Sequence, residues 1–272
     1  MQRRFTAIHL YYRRRKGTGR KGITAMDILE DIIGTLRDET VKEVRRGLHW
    51  TAVVSRSCGL ASTLMRESCQ DGQKEGEPFG LLAGQPAREL ARLAASSEIL
   101  KASLGLAAIN SLIEVDMSRC ADINAGDLLM EKGRGKNLSV IGHFPFTDDL
   151  RKVAKNLWVM EKWQRPGDYP EADAETYLPR SDIVAISSTT LINHTLSRLL
   201  ILCPEKGLTV LLGPTTPMTD VLFAYGVDVI SGSAVMDTKL ALKYISEGAN
   251  FRQLKRTGAI RLITMMKTKT TG

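Results

Sequence analysis

The sequence predicts an α/β protein in which an N-terminal α+β unit is followed by a mostly parallel sheet with helices on both faces. Three observations support this fold class. Residues 26–114 have the pattern of a helix, three short strands and two helices, while residues 138–232 alternate apolar β-rich runs with helical segments. Alternating strands and helices are typical of parallel sheets, because a parallel crossover has room for a helix. The composition, 43% hydrophobic and 25% charged, is that of an ordinary globular chain.

The N-terminal unit is predicted to begin with a helix over residues 26–37. Its apolar residues recur at helical spacing, and its acidic residues come before Arg37, which suits the helix dipole. Short runs separated by small turn residues then predict three strands, at 41–47, 49–56 and 58–65. A polar, glycine-rich loop occupies 68–80, and two helices complete the unit, at 86–96 and 97–114.

The polar stretch at 115–127 is the best boundary between two domains, which we place at 26–118 and 119–272. In the second domain, apolar runs of five or six residues predict five strands, at 138–142, 157–162, 182–187, 208–213 and 227–232. Helical segments fall between and after these strands, at 147–156, 170–178, 190–203, 216–226 and 238–248. A short tail completes the predicted domain.

The net charge of +8 belongs to a basic N-terminal extension, residues 1–25. Residues 1–22 hold eight arginines and lysines and no acidic residue, which leaves equal numbers of basic and acidic residues in the rest. We expect the extension to be disordered or not native. Three interpretations stay open: a basic arm for nucleic acid, an organellar presequence, or an artefact of translation that starts at Met26. Because the folded body carries no charge excess, nucleic acid is not the expected partner.

The remaining composition predicts a cytoplasmic protein with no membrane partner. The sequence has no run of about 18 apolar residues, and its N-terminus lacks the apolar region of a signal peptide. The four cysteines form no CxxC pair, which argues against a zinc knuckle or a disulfide framework, and we expect buried free thiols at Cys58, Cys69, Cys120 and Cys203. Cys58 and Cys69 are weak candidates for soft-metal ligands. A homodimer is expected on general grounds alone.

Ligands of open α/β sheets bind beside the carboxyl ends of the strands, so the segments that follow the strands form one predicted site. These segments are rich in hydroxyl groups or shaped by glycine and proline, at 142–146, 161–168, 187–190, 213–217 and 232–233. The hydroxyl residues at 187–190 could serve only to cap the next helix, and 213–217 could serve only to shape a turn. One cap does not require four hydroxyl groups, which favours a binding role.

Two polar residues, Thr190 and Asn193, are spaced to point from one helix face toward this predicted site. His143 is either a site residue or a packed loop residue, and His194 is expected to be an exposed or indirect neighbour. The glycines at 133–135 come before their strand, and the sequence contains no GxSxG or HExxH motif. The residues alone therefore predict a ligand-binding α/β domain without a committed reaction.

Four stretches resemble a family described as "putative heavy-metal chelation": ASLGLAAINSLI (102–113), VIGHFPF (140–146), LPRSDIVAISSTTLINHTL (178–196) and LLGPTTPMTDVLFAYGVDVISG (211–232). The resemblance spans about residues 26–265. It implies an enolase-N-terminal-like domain followed by a Rossmann-like domain, with a ligand site in the cleft between them. By position it implies ligand contacts at Asn110, Gly142, His143, Thr189, Thr190, Asn193, Gly213, Pro214 and Thr215. This chain has Ser187-Ser188 where the family more often has Thr-Gly, which could alter the approach of a ligand to the backbone.

The resemblance implies a protein that binds a small molecule, a metal ion or a metal chelate in the inter-domain cleft, in heavy-metal chelation or metal-cofactor homeostasis. The cofactor is unknown, and a transition or heavy metal ion is the candidate. The candidate ligands are His143 and Glu161, with His194 as a third. Soft metals prefer thiolate or imidazole, and no cysteine lies in the predicted loops, so a metal already held by an organic chelator fits better. The alternative is an enzyme acting on a chelator or cofactor precursor, with His143 or Glu161 as acid or base.

Overall fold

The computed structural model describes residues 24–64 and 80–268. Most of the predicted N-terminal extension lies outside the described residues, and so do Cys69 and most of the predicted loop at 68–80. What the sequence predicts for these segments therefore stays a prediction. Among the described residues, no helix is long and apolar enough to cross a bilayer.

The N-terminal unit consists of a helix, a three-stranded antiparallel sheet and two more helices. Its elements are α1 (Ala25–Thr35), β1 (Glu43–Arg46), β2 (Trp50–Val54), β3 (Cys58–Ser62), α2 (Ala87–Arg92) and α3 (Ile99–Leu112), and the strand order is β1-β2-β3. A capping box fixes the start of α1: Asp27 N donates to Thr24 Oγ1 at 3.2 Å, and Thr24 N donates to the Asp27 carboxylate at 2.9 Å. The box satisfies backbone N–H groups that have no partner within the helix.

The second unit is built on a six-stranded sheet with the order β5-β4-β6-β7-β8-β9. Its strands are β4 (Asn137–Ile141), β5 (Asn156–Met160), β6 (Ile183–Ser187), β7 (Leu208–Leu212), β8 (Val229–Val235) and β9 (Ile260–Met266). Strands β4 to β8 are parallel, and β9 pairs with β8 in the antiparallel direction. The predicted mostly parallel sheet is therefore confirmed.

Helices cover both faces of this sheet. The helices of this unit are α4 (Ala125–Lys132), α5 (Thr147–Val153), α6 (Ala174–Tyr177), α7 (Leu196–Leu202), α8 (Val221–Ala224), α9 (Thr238–Ser246) and α10 (Phe251–Arg256). Helices α4 and α5 share a core with one face of the sheet, and α6, α7 and α8 pack against the other. The chain passes from β4 to β5 in one direction, crosses back over β4 to β6, and continues to β7 and β8 in the other direction. Right-handed crossovers in opposite directions place their helices on opposite faces.

The two units share hydrophobic cores. One core joins α1 and α3 to β6 and α8, and its members include Ile32, Leu104, Ile186 and Leu222, each no more than 1% exposed. A separate core joins Leu60 of β3 to residues of α9 and α10. The small sheet thus lies between α3 of its own unit and α9 of the other unit. Because large apolar interfaces hold domains together, the cleft between the units is a fixed feature of the fold.

Three parts of the chain differ from the sequence prediction. Helix α4 begins at Ala125, within the stretch predicted to be a polar boundary, and α10 and β9 occupy the region predicted to be a short tail. The helix predicted at 190–203 is interrupted, because a 3₁₀ turn covers Ser188–Leu191 and α7 begins only at Leu196. His194 lies between these two elements with a φ of 60°. A left-handed residue cannot continue a right-handed helix, which explains the break.

Candidate functional site

The strand order of the large sheet reverses between β4 and β6. Strand β5 lies beyond β4, whereas β7 and β8 lie beyond β6. In open α/β sheets, ligands bind at the carboxyl ends of the strands next to such a reversal. The segments 142–146, 187–195 and 213–217 follow β4, β6 and β7 at this edge, and they contain most of the residues predicted to bind a ligand. We refer to these three segments as the strand-end loops.

Two glycines bring the strand-end loops into close contact. Gly142 has a φ of 95°, and a Cβ atom there would lie 3.0 Å from the Cβ of Ser187. Gly213 has a φ of 128°, and its Cβ would lie 2.7 Å from the Oγ of Ser188. Residues with a side chain rarely adopt these φ values, and the neighbouring loop leaves no room for one. Gly142 and Gly213 therefore allow the three loops to pack against one another.

Most of the hydroxyl groups at 187–190 are used within their own turn. Ser187 Oγ hydrogen-bonds Thr189 Oγ1 at 2.8 Å and accepts from Thr189 N at 3.4 Å. Thr190 Oγ1 donates to the Ser187 carbonyl at 2.6 Å, and the Thr190 side chain is buried. The turn therefore accounts for three of the four hydroxyl groups by local hydrogen bonding. As ligand contacts, Thr189 and Thr190 stay predictions.

Ser188 is the exception within this turn. Its Oγ is buried and has no hydrogen-bond partner among the described residues. Its φ is not positive, since His194 is the one residue other than glycine with a positive φ in the described part of the chain. The difference from the Thr-Gly pattern therefore causes no backbone strain. The serine at position 188 instead places a hydroxyl group without a hydrogen-bond partner against the backbone of Gly213. Such a buried and unsatisfied group destabilises the folded state.

Asn193 and His194 hold the chain between the 3₁₀ turn and α7. Asn193 Oδ1 accepts from Thr195 Oγ1 at 2.8 Å and from Thr195 N at 3.3 Å. His194 Nε2 lies 2.8 Å from the carbonyl oxygen of Ala94, in the N-terminal unit, so this ring nitrogen is the donor. His194 thus links the two units, and the helix face predicted for Thr190 and Asn193 does not form.

His143 and Glu161 lie in the loops after β4 and β5. The guanidinium group of Arg165 donates to His143 Nδ1 at 3.1 Å, and the Glu161 carboxylate accepts from the backbone N–H of Lys162 at 2.9 Å. A positive guanidinium group beside the imidazole repels a metal cation, whereas it attracts the anionic groups of an organic chelator. As metal ligands, both residues stay predictions.

Asn110 and Thr215 lie where the two units meet. Asn110 Nδ2 donates to the Leu60 carbonyl at 2.7 Å and to the Thr215 carbonyl at 3.0 Å, so one side chain contacts both units. Thr215 Oγ1 accepts from Ser62 N at 2.9 Å. Next to Thr215, the Pro214 carbonyl accepts from Ser233 Oγ at 3.3 Å. These contacts fasten β3 and α3 to the loop after β7, and they fasten that loop to β8.

A cavity of about 420 Å³ lies in the cleft beside Asn110. Its walls come from β3, the C-terminal end of α3 with the segment after it, the loop after β7, and β8; they include Leu60, Asn110, Met117, Met218, Ser233 and Met236. A second cavity of about 290 Å³ shares Ile113, Glu114 and Met218 with the first. Volumes above about 300 Å³ are typical of small-molecule sites. We call the larger space the cleft cavity.

The charged and ionisable groups of the cleft cavity are neutralised locally. Arg56 forms ion pairs with Glu114 at 2.6 Å and with Glu39 at 3.2 Å. Burial, assisted by the negative charge of Glu43, raises the pKa of the Cys58 thiol to about 12. Cys58 is therefore a neutral thiol at physiological pH. The cavity offers a ligand a wall with little free charge.

Residues that bind metals tightly are not grouped in the described part of the chain. Within residues 24–64 and 80–268, no set of three or more histidine, cysteine, aspartate or glutamate residues could hold a metal ion. Zinc and similar ions need at least three such ligands from the protein. A tight site for a bare ion of this kind is therefore absent from the described residues.

The fold and its cleft thus define an α/β protein of two tightly packed units with a small-molecule-sized cavity between them. One family model, described as "Putative heavy-metal chelation", matches residues 124–264, and a second model with the same description matches residues 29–113. The chain belongs to this family.

Its relatives include proteins without an assigned function. A crystal structure of a family member of unknown function from Desulfitobacterium hafniense has a TM-score of 0.78, 26% identity, and coverage of 89% of this chain and 98% of the other. A family member of unknown function from Pyrococcus horikoshii has a TM-score of 0.75 at 22% identity, covering 88% and 98%, which supports the fold alone. An uncharacterized protein of Methanocaldococcus jannaschii is 28% identical over 217 residues, 77% of this chain and 82% of its own. The enolase-like and Rossmann-like assignments stay predictions.

Sequence reasoning missed most residues of the cleft cavity. Of the residues predicted individually to bind a ligand or metal, Asn110 and the weak candidate Cys58 lie in its wall, and the predicted segments at 213–217 and 232–233 contribute Thr216 and Ser233. The methionines of the wall come from three separate segments, and nothing in their spacing predicts that they meet. Only tertiary packing brings them together.

Proposed function

We propose that this protein binds a metal ion together with a small organic chelator in the cleft between its two units, as a carrier or store of the metal. The observation that supports the proposal best is the cleft cavity, because its size suits a small metal complex and Asn110 stands in its wall. The description of the family, heavy-metal chelation, agrees with this proposal.

The donor groups favour a chelated metal over a bare ion. Since the described residues offer no group of three histidine, cysteine or acidic ligands, the chelator would supply the nitrogen and oxygen ligands of the metal. The protein then has to recognise the organic part of the complex. Asn110 uses both of its N–H groups for backbone carbonyls, Leu60 in its own unit and Thr215 in the other, which leaves its Oδ1 as an acceptor for a donor group of the chelator.

Asparagine-to-alanine variants test this proposal and distinguish the cleft cavity from the strand-end loops. The probes are nickel–histidine, ferric citrate and copper–histidine complexes, each compared with the free ion and the free chelator. A complex present at 100 times its dissociation constant stabilises the fold by about 2.7 kcal/mol, which raises Tm by roughly 5–10 °C. We expect at least one complex to produce this rise in the unaltered chain.

The variant Asn110→Ala should lose the rise in Tm, whereas Asn193→Ala should retain it. Each rise is measured against the ligand-free Tm of the same variant, so a lower basal stability of Asn110→Ala does not affect the comparison. A rise that is lost only in Asn193→Ala would move the site to the strand-end loops. A rise produced equally by the free chelator would mean that the protein binds organic molecules without a metal.

A further inference from the structure

The wall of the cleft cavity is unusually rich in sulfur. Three of the ten methionines of the chain, Met117, Met218 and Met236, lie in it together with Cys58. Met218 is buried at 5% exposure, whereas Met117 and Met236 are exposed at 40% and 59%. The side chain of Met218 is therefore buried in the cleft, whereas those of Met117 and Met236 are accessible to solvent. A metal ion could reach the exposed methionines from solvent and then contact the buried one.

The backbone of β8 leaves space for the sulfur of Met218. A Cβ atom at Gly232 would lie 2.7 Å from Met218 Sδ. The thioether therefore packs directly on the strand, at a position where any other residue would have to displace it. The Met218 sulfur therefore lies against β8, and Met218 itself is a residue of the cavity wall.

The chemistry of these side chains selects the class of metal. Thioether sulfur is a soft and neutral ligand that prefers Cu(I) among the biological metals. Neutral ligands in an apolar cleft also favour a cation of low charge, because the burial of an uncompensated charge destabilises a protein more as the charge increases. Hard and borderline ions would favour histidine and carboxylate ligands, which the described residues do not group in sets of three or more.

We propose that Met117, Met218 and Met236 form a thioether site for a soft monovalent cation, Cu(I) or its analogue Ag(I), in the cleft cavity. The inference rests on the proposed function of the cleft and names the class of metal that the cleft takes. The organic chelator completes the coordination of an ion that the three sulfur atoms hold by their soft character.

Ag(I) added to the full chain tests the thioether site, with the methionine methyl groups labelled with ¹³C and in a buffer free of chloride. We expect the methyl resonances of Met117, Met218 and Met236 to shift together and to reach a plateau. The exposed residues Met26 and Met266, outside the walls of both cavities, should keep their resonances. Because Cys58 lies in the same wall, the titration is repeated on the Cys58→Ser variant, in which silver cannot bind that thiol, and we expect the same three resonances to shift.

Leucine variants provide the second measurement. Leucine nearly conserves the volume of methionine, so the Met218→Leu variant should fold. We expect this variant to lose about a factor of ten or more in Cu(I) affinity. Competition with a coloured Cu(I) chelator measures the affinity. The matched variant Met266→Leu should bind as the unaltered chain does. Unshifted resonances at the three methionines, or equal affinities of the two variants, would overturn the thioether site. A rise in Tm with a chelate that still depends on Asn110 would then leave the proposed function intact.

Discussion

Replacement of Gly59 by alanine is expected to lower the free energy of unfolding by about 3 kcal/mol or more. A Cβ atom at this position in β3 would lie 2.2 Å from the carbonyl oxygen of Ala107 and 2.2 Å from the backbone nitrogen of Ser111. Both atoms belong to the backbone of α3, which cannot turn aside as a side chain can. The strand and the helix would therefore have to separate, and the wall of the cleft cavity would open with them. Denaturant unfolding followed by circular dichroism measures the loss.

Gly34→Ala is the matched control for this substitution. Gly34 lies in α1, and a Cβ atom there would have no neighbour within 4 Å. Alanine is the better helix former, so this variant should be as stable as the unaltered chain or gain up to about 1 kcal/mol. If Gly59→Ala unfolded at the same denaturant concentration as the unaltered chain, β3 and α3 would not pack as closely as described.

Gly213→Ala is expected to cost about 2–3 kcal/mol, through two separate effects. The φ of 128° is unfavourable for a residue with a side chain, and the added Cβ would lie 2.7 Å from Ser188 Oγ. The second effect depends on one hydroxyl group, so a double-mutant cycle can isolate it. We expect Gly213→Ala to cost about 1 kcal/mol less in a Ser188→Ala background, as is typical of residues in contact.

The single serine variants complete the cycle. Ser188→Ala should leave the stability unchanged or raise it, because it removes a buried hydroxyl group that has no partner. Ser187→Ala should lose about 1 kcal/mol, because Ser187 caps the turn and accepts from Thr189 N. Two adjacent serines are thus expected to respond in opposite directions. Additive costs for Gly213→Ala and Ser188→Ala would show that the two loops do not touch at this point.

The periodicity of the sequence was sufficient for β1 to β8 and most helices, and its failures have local causes. Strands β4 to β8 are short, apolar and regularly separated, so they stand out. Helix α4 has only eight residues with polar flanks, and its short apolar pattern does not separate it from a linker. The edge strand β9 is antiparallel to β8. It therefore does not belong to the alternation of parallel strands and helices that marks β4 to β8.

The candidate site was predictable only where a residue type constrains the backbone. Gly142 and Gly213 follow strands and have positive φ values, as expected for glycines in tight loops. The positive φ of His194 has no such signal, because positive φ is uncommon in residues other than glycine, and so the sequence suggests an uninterrupted helix. The sharing of Asn110 between the two units depends on contacts across about a hundred residues, which no local pattern records.

The most direct test of metal binding in the cleft is anomalous diffraction from crystals grown with Ag(I), or with the metal chelate that raises Tm most. We expect the strongest peak of metal scattering to lie in the cleft cavity, bordered by Asn110 and Met218. A strongest peak beside His143 and Glu161, with no metal in the cleft cavity, would contradict the proposed site.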